Sequence, residues 1–298
     1  MIIRTSHSPF PRQRGIALVV VMWILVLMMV LAAGYSTTVR TETRSAAFNL
    51  QAAQARAVAE AGVWLAIQDL GRTGPGDPWQ AEGGKTDYSY RHGHVEVRIQ
   101  DQAGLLDLNK VNPDLLQTFM DSMDIGVEES RQITGAILDW RDRDHLVSQP
   151  AGAEEPDYRF AGYPYGVKNG PFNSVEELRR VMGVNEAIFQ KLSPDFTVHS
   201  QIPGINPDVA TDTILMALFG MDPESIRLLR AGRDQTAGTA GQSAQAGSPP
   251  TVTRSTQGIS FMITSTGTVN DTRVVLEVVI CRGCSADSPY SILAWEEK

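Results

Sequence analysis

Acidic side chains crowd one stretch of the sequence, DWRDRDHLVSQPAGAEEPDY, which spans residues 139–158. Six carboxylates lie within nineteen residues there: Asp139, Asp142, Asp144, Glu154, Glu155 and Asp157. Hard oxygen ligands on an irregular loop are what Ca²⁺ selects, at about six to eight per ion. The spacing departs from an EF-hand loop, because Leu146 stands at its third acidic position and no glycine follows. The stretch therefore predicts either a calcium site or a solvated acidic loop.

The two cysteines of the chain, Cys281 and Cys284, form a Cys-x-x-Cys pair in the segment ICRGCS. One such pair supplies only half of a four-ligand zinc site. In a cytosolic enzyme the same spacing also serves redox chemistry. Outside the inner membrane, where the surroundings are oxidising, the pair instead predicts a structural disulfide.

Sequence patterns of the common enzyme classes are absent. There is no Gly-x-Ser-x-Gly elbow, no phosphate-binding loop and no His-Glu-x-x-His zinc helix. Asp142, Asp144 and His145 combine acid and base types, which makes a metal-dependent hydrolase the third hypothesis for function. His92 and His94 alternate along a predicted strand, as is typical of a solvated face rather than a metal site. We therefore expect a protein that is not an enzyme.

A basic leader and a long apolar run occupy the N-terminus. Three arginines precede Gly15, and residues 16–34 contain no charged side chain. As a helix rising about 1.5 Å per residue, this run nearly matches the ~30 Å hydrocarbon thickness of a bilayer. Three interpretations are open: a cleaved secretory signal, a plain signal anchor, and a leader cut between Gly15 and Ile16. Loss of the leader would change the net charge from −8 to −11, which suits protein partners better than nucleic acid.

Helix-forming residues continue beyond the apolar run. Residues 36–70 contain no proline and a single glycine, Gly62, so the helix is predicted to reach Leu70. Apolar residues recur at steps of three and four and form one stripe: Ala46, Leu50, Ala53, Ala57, Ala61 and Trp64. The second half of this stripe, together with Leu65 and Ile67, predicts packing against a globular core.

Helix-start signals recur within residues 102–232, after alternating strand-like residues at 88–100. Asn112 and Asn206 each precede Pro-Asp and apolar residues, so both are predicted N-caps. Ser174 stands three residues before a glutamate, which is the spacing of a capping box. These signals predict a helical domain inserted between two β segments.

The junction RQRGIALVVV resembles the class III leader of type IV pilins and type II secretion pseudopilins. In that family a prepilin peptidase cuts after the glycine, so the resemblance implies processing between Gly15 and Ile16, with methylation of the new N-terminus. Most members have glutamate at the fifth mature position, where this sequence has Val20. In lacking this glutamate, the sequence resembles the minor pseudopilin of the K type, which is placed at a tip where no subunit sits above it.

Three further segments strengthen the resemblance to K-type pseudopilins: LDLN, DWRDRDHLVSQPAGAEEPDY and GPFNSVEELRRVMG, in that order. The resemblance implies an α+β, pilin-like fold, in which a long N-terminal transmembrane helix packs on an antiparallel sheet with a large inserted all-α domain similar to SAM or helix-hairpin-helix domains. The implied segments are a leader at 1–15, a transmembrane helix at 16–34, a pilin helix and first strands at 35–101, the insertion at 102–232, a flexible loop at 233–257 and C-terminal strands at 258–298.

The same resemblance implies a structural role at the tip of the type II secretion pseudopilus, where the protein initiates assembly and supports export of folded proteins. Implied partners are the minor pseudopilins of the I and J types, prepilin peptidase and the bacterial inner membrane. The chain would cross that membrane once, with a cytoplasmic N-terminus and most residues in the periplasm. Because pseudopilins of this type bind calcium, Asp142, Asp144 and Glu154 are the expected ligands.

Two other functions fit parts of the sequence. The segment SVEELRRVMGVNEAIFQKL resembles a helix-hairpin-helix, whose turn, here Met182-Gly183-Val184, presents amides to a DNA phosphate. Acidic side chains outnumber basic ones around this segment, and a phosphate-binding surface needs the reverse balance, so no nucleic acid partner is expected. A minor pilin of a type IV pilus is the other alternative, and Val20 with the inserted domain makes it the second choice.

Overall fold

The computed structural model describes residues 16–71, 82–90, 93–236 and 259–298. The chain divides into two units, residues 1–54 and residues 55–298. The helices of the described residues are α1 (Ile16–Leu70), α2 (Pro113–Ser122), α3 (Val127–Arg141), α4 (Glu155–Phe160), α5 (Glu186–Leu192), α6 (Asp212–Phe219) and α7 (Pro223–Thr236). The strands are β1 (Glu82–Tyr90), β2 (Gly93–Asp101), β3 (Leu106–Asp107), β4 (Phe196–Thr197), β5 (Ser260–Val269), β6 (Thr272–Arg282) and β7 (Tyr290–Glu297). Short 3₁₀ helices cover Gln102–Gly104, Val175–Arg180 and Ser193–Asp195.

The described part of the first unit is the N-terminal portion of α1. Its large apolar side chains from Leu18 to Leu31 are all exposed. No proline interrupts the run, and the uncharged residues favour a continuous helix. By length and composition, α1 is long and apolar enough to cross a membrane.

In the second unit, the remainder of α1 packs on a five-stranded antiparallel sheet with the strand order β1-β2-β5-β6-β7. The buried residues of α1 are mostly small, including Ala55 and Ala59. Two glycines allow the close approach. A Cβ at Gly267 of β5 would overlap the backbone of Ala55, and one at Gly62 would overlap the hydroxyl of Ser265. That hydroxyl donates a 2.7 Å hydrogen bond to the Ala59 carbonyl, which fastens the helix to the sheet.

The buried face of α1 differs from the stripe predicted from the sequence. Trp64 is 47% exposed, and Ala53 and Ala57 are exposed as well. The buried line runs instead through residues two positions further along, such as Ala55 and Ala59. Alanine recurs around the whole helix here, so apolar periodicity draws more than one stripe. The prediction was therefore wrong for Trp64 as an anchor in the core.

Helices α2 to α7 are inserted between β2 and β5, which are neighbours in the sheet. The two strands pair from His94–Thr268 to Asp101–Phe261, so the insertion leaves and re-enters at adjacent positions. This arrangement confirms the predicted α+β fold with a long N-terminal helix, an antiparallel sheet and a helical insertion. Helix α7 runs to Thr236, four residues past the expected boundary at residue 232.

The insertion has a hydrophobic core separate from that of the sheet. Ile133 and Ile137 of α3 are fully buried, and Trp140 is nearly so, because their spacing of four and three residues puts them on one helical face. The Trp140 ring packs against Tyr158 and Phe172, with centroid distances of 6.0 and 6.2 Å. These contacts fix the C-terminal end of α3, where the acidic stretch begins.

Helix starts in the insertion follow the sequence signals only in part. Asn112 Oδ1 accepts a 2.8 Å hydrogen bond from the Asp114 amide, and α2 begins at Pro113, as predicted. The start predicted at Asn206 is wrong, because its side chain closes a turn by accepting from the Asp208 amide. Helix α6 begins six residues later, behind a Thr211 cap.

The predicted capping box at Ser174 does not form. Ser174 makes no side-chain cap hydrogen bond, and the residues after it form the 3₁₀ helix Val175–Arg180. Glu177, the expected partner, instead accepts hydrogen bonds from the side chains of Lys168 and Trp140. The segment therefore lacks the first α-helix of a helix-hairpin-helix.

Candidate metal centre

Three carboxylates of the acidic stretch converge: Asp142, Asp144 and Glu154. Each offers one oxygen, and the three oxygens lie within 4.8 Å of one another. Two of the residues stand at helix ends. Asp142 is the C-cap of α3, and Glu154 is the N-cap of α4. The site therefore joins the end of one helix, the loop that follows and the start of the next helix.

Arg141 holds the end of α3 in place. Its guanidinium donates hydrogen bonds to the carbonyl oxygens of Leu108 and Val111, at 2.8 and 2.9 Å. Burial lowers the pKa of Arg141, while Asp107 and Asp142 act in the opposite direction. An arginine keeps its charge in proteins, so this group anchors the helix end beside the carboxylates.

Asp139 shapes the loop between the carboxylates. Its buried side chain accepts hydrogen bonds from the amides of Ser148 and Ala153, at 2.9 and 2.7 Å. Both carboxylate oxygens thereby bind the backbone of the loop. A Cβ at Gly135 would overlap the Ala151 carbonyl, so the loop lies directly against α3.

Two of the three carboxylates, Asp142 and Glu154, are short of hydrogen-bond donors, whereas the exposed Asp144 accepts a 2.8 Å hydrogen bond from the Leu146 amide. Glu154 is 3% exposed, and its carboxylate faces the Asp157 amide in a capping box, but neither of its oxygens makes a hydrogen bond of good geometry among the described residues. The same holds for Asp142 Oδ1. Burial raises the pKa of Glu154, and the charge of Asp139 adds to the effect. Burial likewise raises the pKa of Asp142, followed by the charges of Asp144 and Asp139. Buried carboxylates without donors are stabilised by a cation.

The geometry of this group fits a calcium ion. Calcium binds oxygen at about 2.3–2.6 Å, so two ligands on opposite sides of one ion stand about 4.6–5.2 Å apart. The 4.8 Å limit on the three oxygens is compatible with one shared ion. All three candidate metal ligands are carboxylate oxygens, which suits a hard cation rather than zinc. Three carboxylates supply six oxygens if each binds through both.

A third segment lies beside the loop through Asn169. Its Nδ2 stands 2.8 Å from Nδ1 of His145, the residue after Asp144. Its Oδ1 is buried and has no hydrogen-bond partner in the described part of the chain. Sequence reasoning missed Asn169, Asp139 and Arg141, because their roles depend on contacts distant in sequence or on backbone amides. The positive φ of Asn169, +50°, has no sequence signal beyond the tolerance of asparagine for that conformation.

The processing residues and the histidines lie apart from this centre. Gly15 is outside the described residues, and Ile16 is the first residue of α1. His92 is also outside the described residues. His94 lies in β2, with its Nε2 at 3.3 Å from a carboxylate oxygen of Asp87 on β1. Both of these side chains are about half exposed, which fits the solvated face predicted for His94.

The cysteines are joined to each other at the end of β6. A disulfide links Cys281 with Cys284, whose Cα atoms are 5.7 Å apart. Gly283 between them adopts a left-handed conformation with φ +73°, which glycine takes without steric strain. The pair thus closes a tight turn in the connection from β6 to β7.

Comparison with known proteins finds relatives of this chain. A family model described as type II secretion system (T2SS), protein K, matches residues 94–201, which run from β2 through the metal centre to just beyond β4. A Klebsiella pneumoniae protein named type II secretion system protein K is 31% identical over 249 residues, covering 74% of this chain and 73% of that relative. The Pseudomonas aeruginosa protein of the same name is 27% identical over 234 residues, covering 71% and 69%.

A solved structure shares the fold. A chain in the crystal structure of the GspK–GspI–GspJ complex from the enterotoxigenic Escherichia coli type 2 secretion system aligns with a TM-score of 0.57, covering 88% of this chain and 99% of that chain. The two are 18% identical, so this likeness concerns the fold alone. The resemblance to K-type pseudopilins is confirmed by the relatives. With 31% identity over three quarters of its length to the Klebsiella protein, the chain belongs to the type II secretion system protein K family.

Proposed function

We propose that this chain caps the tip of the type II secretion pseudopilus, initiates its assembly and so supports export of folded proteins across the outer membrane. In this role it is a structural subunit rather than an enzyme. The proposal places the apolar part of α1 in the inner membrane, with the N-terminus in the cytoplasm and the following residues in the periplasm. The length and apolar composition of α1 support a membrane anchor.

The position of the helical insertion carries the tip assignment. The insertion leaves the sheet at Asp101 and returns at Ser260, between two neighbouring strands. If pilin-like subunits stack through their N-terminal helices, a domain of this bulk beside every sheet would obstruct the repeat. A single copy at the end of the filament meets no such obstacle. The bulk of the insertion therefore favours a terminal subunit.

The proposed partners are the minor pseudopilins of the I and J types. Support comes from the shared fold with a chain of the GspK–GspI–GspJ complex. Val20 also fits a terminal position, because a carboxylate there would need a partner inside the membrane. A subunit with no neighbour above it has no such partner, and valine removes the requirement.

We infer that prepilin peptidase removes residues 1–15 and leaves a methylated Ile16 as the N-terminus. The basic leader, the glycine and the apolar helix that begins at Ile16 support this processing. Mass spectrometry of the chain from cells with and without prepilin peptidase tests the inference. We expect a peptidase-dependent start at Ile16. A start near Gly34 or an intact leader in both strains would contradict it.

Calcium is the ion we propose for the metal centre, with Asp142, Asp144 and Glu154 as ligands. A bound divalent cation would supply positive charge to carboxylates that are short of hydrogen-bond donors. Because Asp142 ends α3 and Glu154 begins α4, ligands from both residues fix the two helix ends relative to each other. The proposed role of the ion is structural, since it stabilises the insertion.

The tip assignment is tested by locating the insertion on assembled filaments. An epitope placed in the insertion of the full-length chain is labelled on pseudopili produced by overexpression of the major subunit. We expect label at one end of each filament. An epitope on the major subunit, labelled along the whole length, is the control. Label from the insertion at regular intervals along the filament would refute a terminal position.

A further inference from the structure

Strand β7 forms one edge of the sheet, and β6 is its only strand partner among the described residues. The outward backbone N–H and C=O groups of an edge strand are a template for pairing with another strand. Natural edges are usually protected by charged residues, proline, bulges or short length, and β7 has a bulge at Leu293 and two glutamates at its end. β7 is eight residues long, and its segment YSILAW, residues 290–295, contains neither a charged residue nor a proline. The backbone groups along residues 290–295 are therefore suited to pairing with another strand.

Apolar side chains surround the edge. Ile292, Leu293 and Trp295 of β7 and Trp64 of α1 are between 37% and 47% exposed. The Trp64 ring packs edge-on against Tyr290 at a centroid distance of 6.4 Å. A groove of about 340 Å³ lies at this end of the strand, between the end of α1 and the sheet, and Tyr290 is the β7 residue that lines it. The four exposed side chains present about 300–400 Å² of apolar surface, a patch size that is often functional.

Charge is concentrated at one end of this surface. Arg56 of α1 pairs with Glu60 at 3.4 Å and with Glu297 of β7 at 3.0 Å. One arginine thus meets two carboxylates on this face, whereas Glu296 lies on the opposite face of the sheet beside Glu277 and Lys298. The surface is thus apolar along residues 290–295 and acidic beyond them. A partner that matches it has apolar side chains in the middle and a basic side chain at that end.

We propose that the free edge of β7 binds an extended strand of a neighbouring minor pseudopilin, which becomes the sixth strand of the sheet. Apolar side chains of that strand cover Trp64 and Trp295, and a lysine or arginine lies near Glu297. Backbone pairing requires a strand, because a helix cannot satisfy the edge. The inference rests on the proposed assembly with the I and J types and names the surface that serves it.

The size of the patch decides between a strand of a partner and a second copy of this chain. A stable interface buries about 800 Å² on each side. The apolar surface at this edge is about half that area, so pairing of two β7 strands alone would give a weak dimer. A strand from a neighbouring subunit adds this edge to other contacts and reaches the required area.

Hydrogen exchange of the full-length chain in detergent micelles tests the proposal. The amides of residues 290–297 are followed with and without purified I-type and J-type minor pseudopilins. We expect exchange in this segment to slow at least tenfold in the complex. Unchanged exchange in a formed complex would overturn the proposal. Full protection in the isolated chain would also overturn it, because the chain itself would then occupy the edge.

A charged substitution at the edge gives an independent readout. Leu293 is the extra residue of a bulge opposite Val279 and Ile280, and Leu293→Lys puts a lysine on the exposed edge. We expect its affinity for the I and J proteins to fall at least tenfold. Leu228→Lys is the control, since Leu228 of α7 is also an exposed leucine, at 64% against 40% for Leu293, and its variant is expected to bind within twofold of the wild type.

The outcomes separate this inference from the proposed function. Absence of any complex between the wild-type chain and the I and J proteins would contradict the proposed assembly itself. A normal complex with Leu293→Lys would leave that assembly intact and refute the edge as its surface. If Leu293→Lys lowers the melting temperature, Ile292→Lys replaces it, because Ile292 is exposed at the same edge.

Discussion

Glu154 is the residue on which calcium binding is expected to depend most. Its carboxylate is buried and makes no hydrogen bond of good geometry among the described residues. In Glu154→Gln a neutral amide replaces the charged ligand, so we expect calcium affinity to fall at least tenfold in calorimetric titrations of the full-length chain. Glu155→Gln is the matched control, because Glu155 is half-exposed and pairs with Arg159. Equal affinities of the two variants would remove Glu154 from the ligand set.

The carboxylates also predict how calcium binding depends on pH. Burial raises the pKa of both Glu154 and Asp142, so protons compete with the ion closer to neutral pH than at ordinary carboxylates. We expect the dissociation constant to rise as the pH is lowered from about 7 to 5. A constant value over this range would contradict a role for the buried Glu154 as a ligand.

The contribution of Glu154 and Asp142 to the stability of the metal-free chain depends on pH in the opposite direction: it falls as the pH rises. A carboxyl group with a raised folded-state pKa binds protons more readily in the folded chain, so these two groups destabilise the fold as pH rises through that pKa. Their contribution to the melting temperature in chelator is therefore larger at pH 5 than at pH 7. Comparison with Glu154→Gln isolates the contribution of Glu154, because the variant cannot titrate there.

The resemblance to K-type pseudopilins predicted three calcium ligands, Asp142, Asp144 and Glu154. The structure brings one oxygen of each together. Calcium itself remains a prediction. Residue types and spacing had left a solvated loop as an equal alternative, since neither reports burial. The supporting residues could not be found in this way. Asp139 acts by accepting from loop amides, and Arg141 by donating to carbonyls more than 25 residues away.

Packing of α1 on the sheet depends on the absence of a side chain at Gly267. A methyl group there would overlap the Ala55 backbone, so Gly267→Ala must separate helix and strand. We expect a loss of about 2–3 kcal/mol in the free energy of unfolding. Gly170→Ala is the control, because the nearest atom to its added methyl group stands at 3.9 Å. Similar thermal unfolding of both variants would show that α1 shifts freely on the sheet.

The end of α3 depends on Arg141. Arg141→Met keeps the aliphatic stem but leaves the carbonyls of Leu108 and Val111 without this donor. We expect a loss of about 2–3 kcal/mol in stability and weaker calcium binding, because Asp142 follows directly in the chain. Arg143→Met, at an exposed position in the loop, should change neither by a comparable amount. Unfolding and calcium titration of both variants check this.

Element types were easier to predict than faces and boundaries. The uninterrupted helix to Leu70 and the cap at Asn112 follow from local signals, because proline, glycine and cap preferences act over a few residues. The exposure of Trp64 and the late start of α6 could not be predicted from local signals. The burial of a helix face depends on what packs against it, and Asn206 closes a turn as readily as it caps a helix.

The whole molecule separates into a sheet with its helix and an insertion with its own core. Because Asp101 and Phe261 are paired, an Asn-Gly turn in place of residues 102–260 is expected to close β2 and β5 into a hairpin. We expect this shortened chain to bind the I and J proteins within tenfold of the wild type and to lose calcium binding. Pull-down and calorimetry measure both.

Loss of partner binding in a folded shortened chain would place the interface on the insertion instead of on α1 and β7. Circular dichroism and the melting temperature establish that the sheet has formed. As a control, an insertion-bearing chain with Leu293→Lys should show the reverse pattern, with calcium binding retained and partner binding weakened. The two variants together assign each function to one part of the molecule.

The pairing of β2 with β5 also has a mechanical consequence. Eight residue pairs join the two strands, and the covalent connections of the insertion to the sheet are at their ends. Tension that enters through α1 and leaves through β6 or β7 is carried by the sheet, in shear across its hydrogen bonds. The insertion lies outside this path, because the chain enters it from the end of β2 and returns from it to the adjacent end of β5. A pulling force on α1 is therefore expected to pass through the sheet without crossing the three carboxylates Asp142, Asp144 and Glu154.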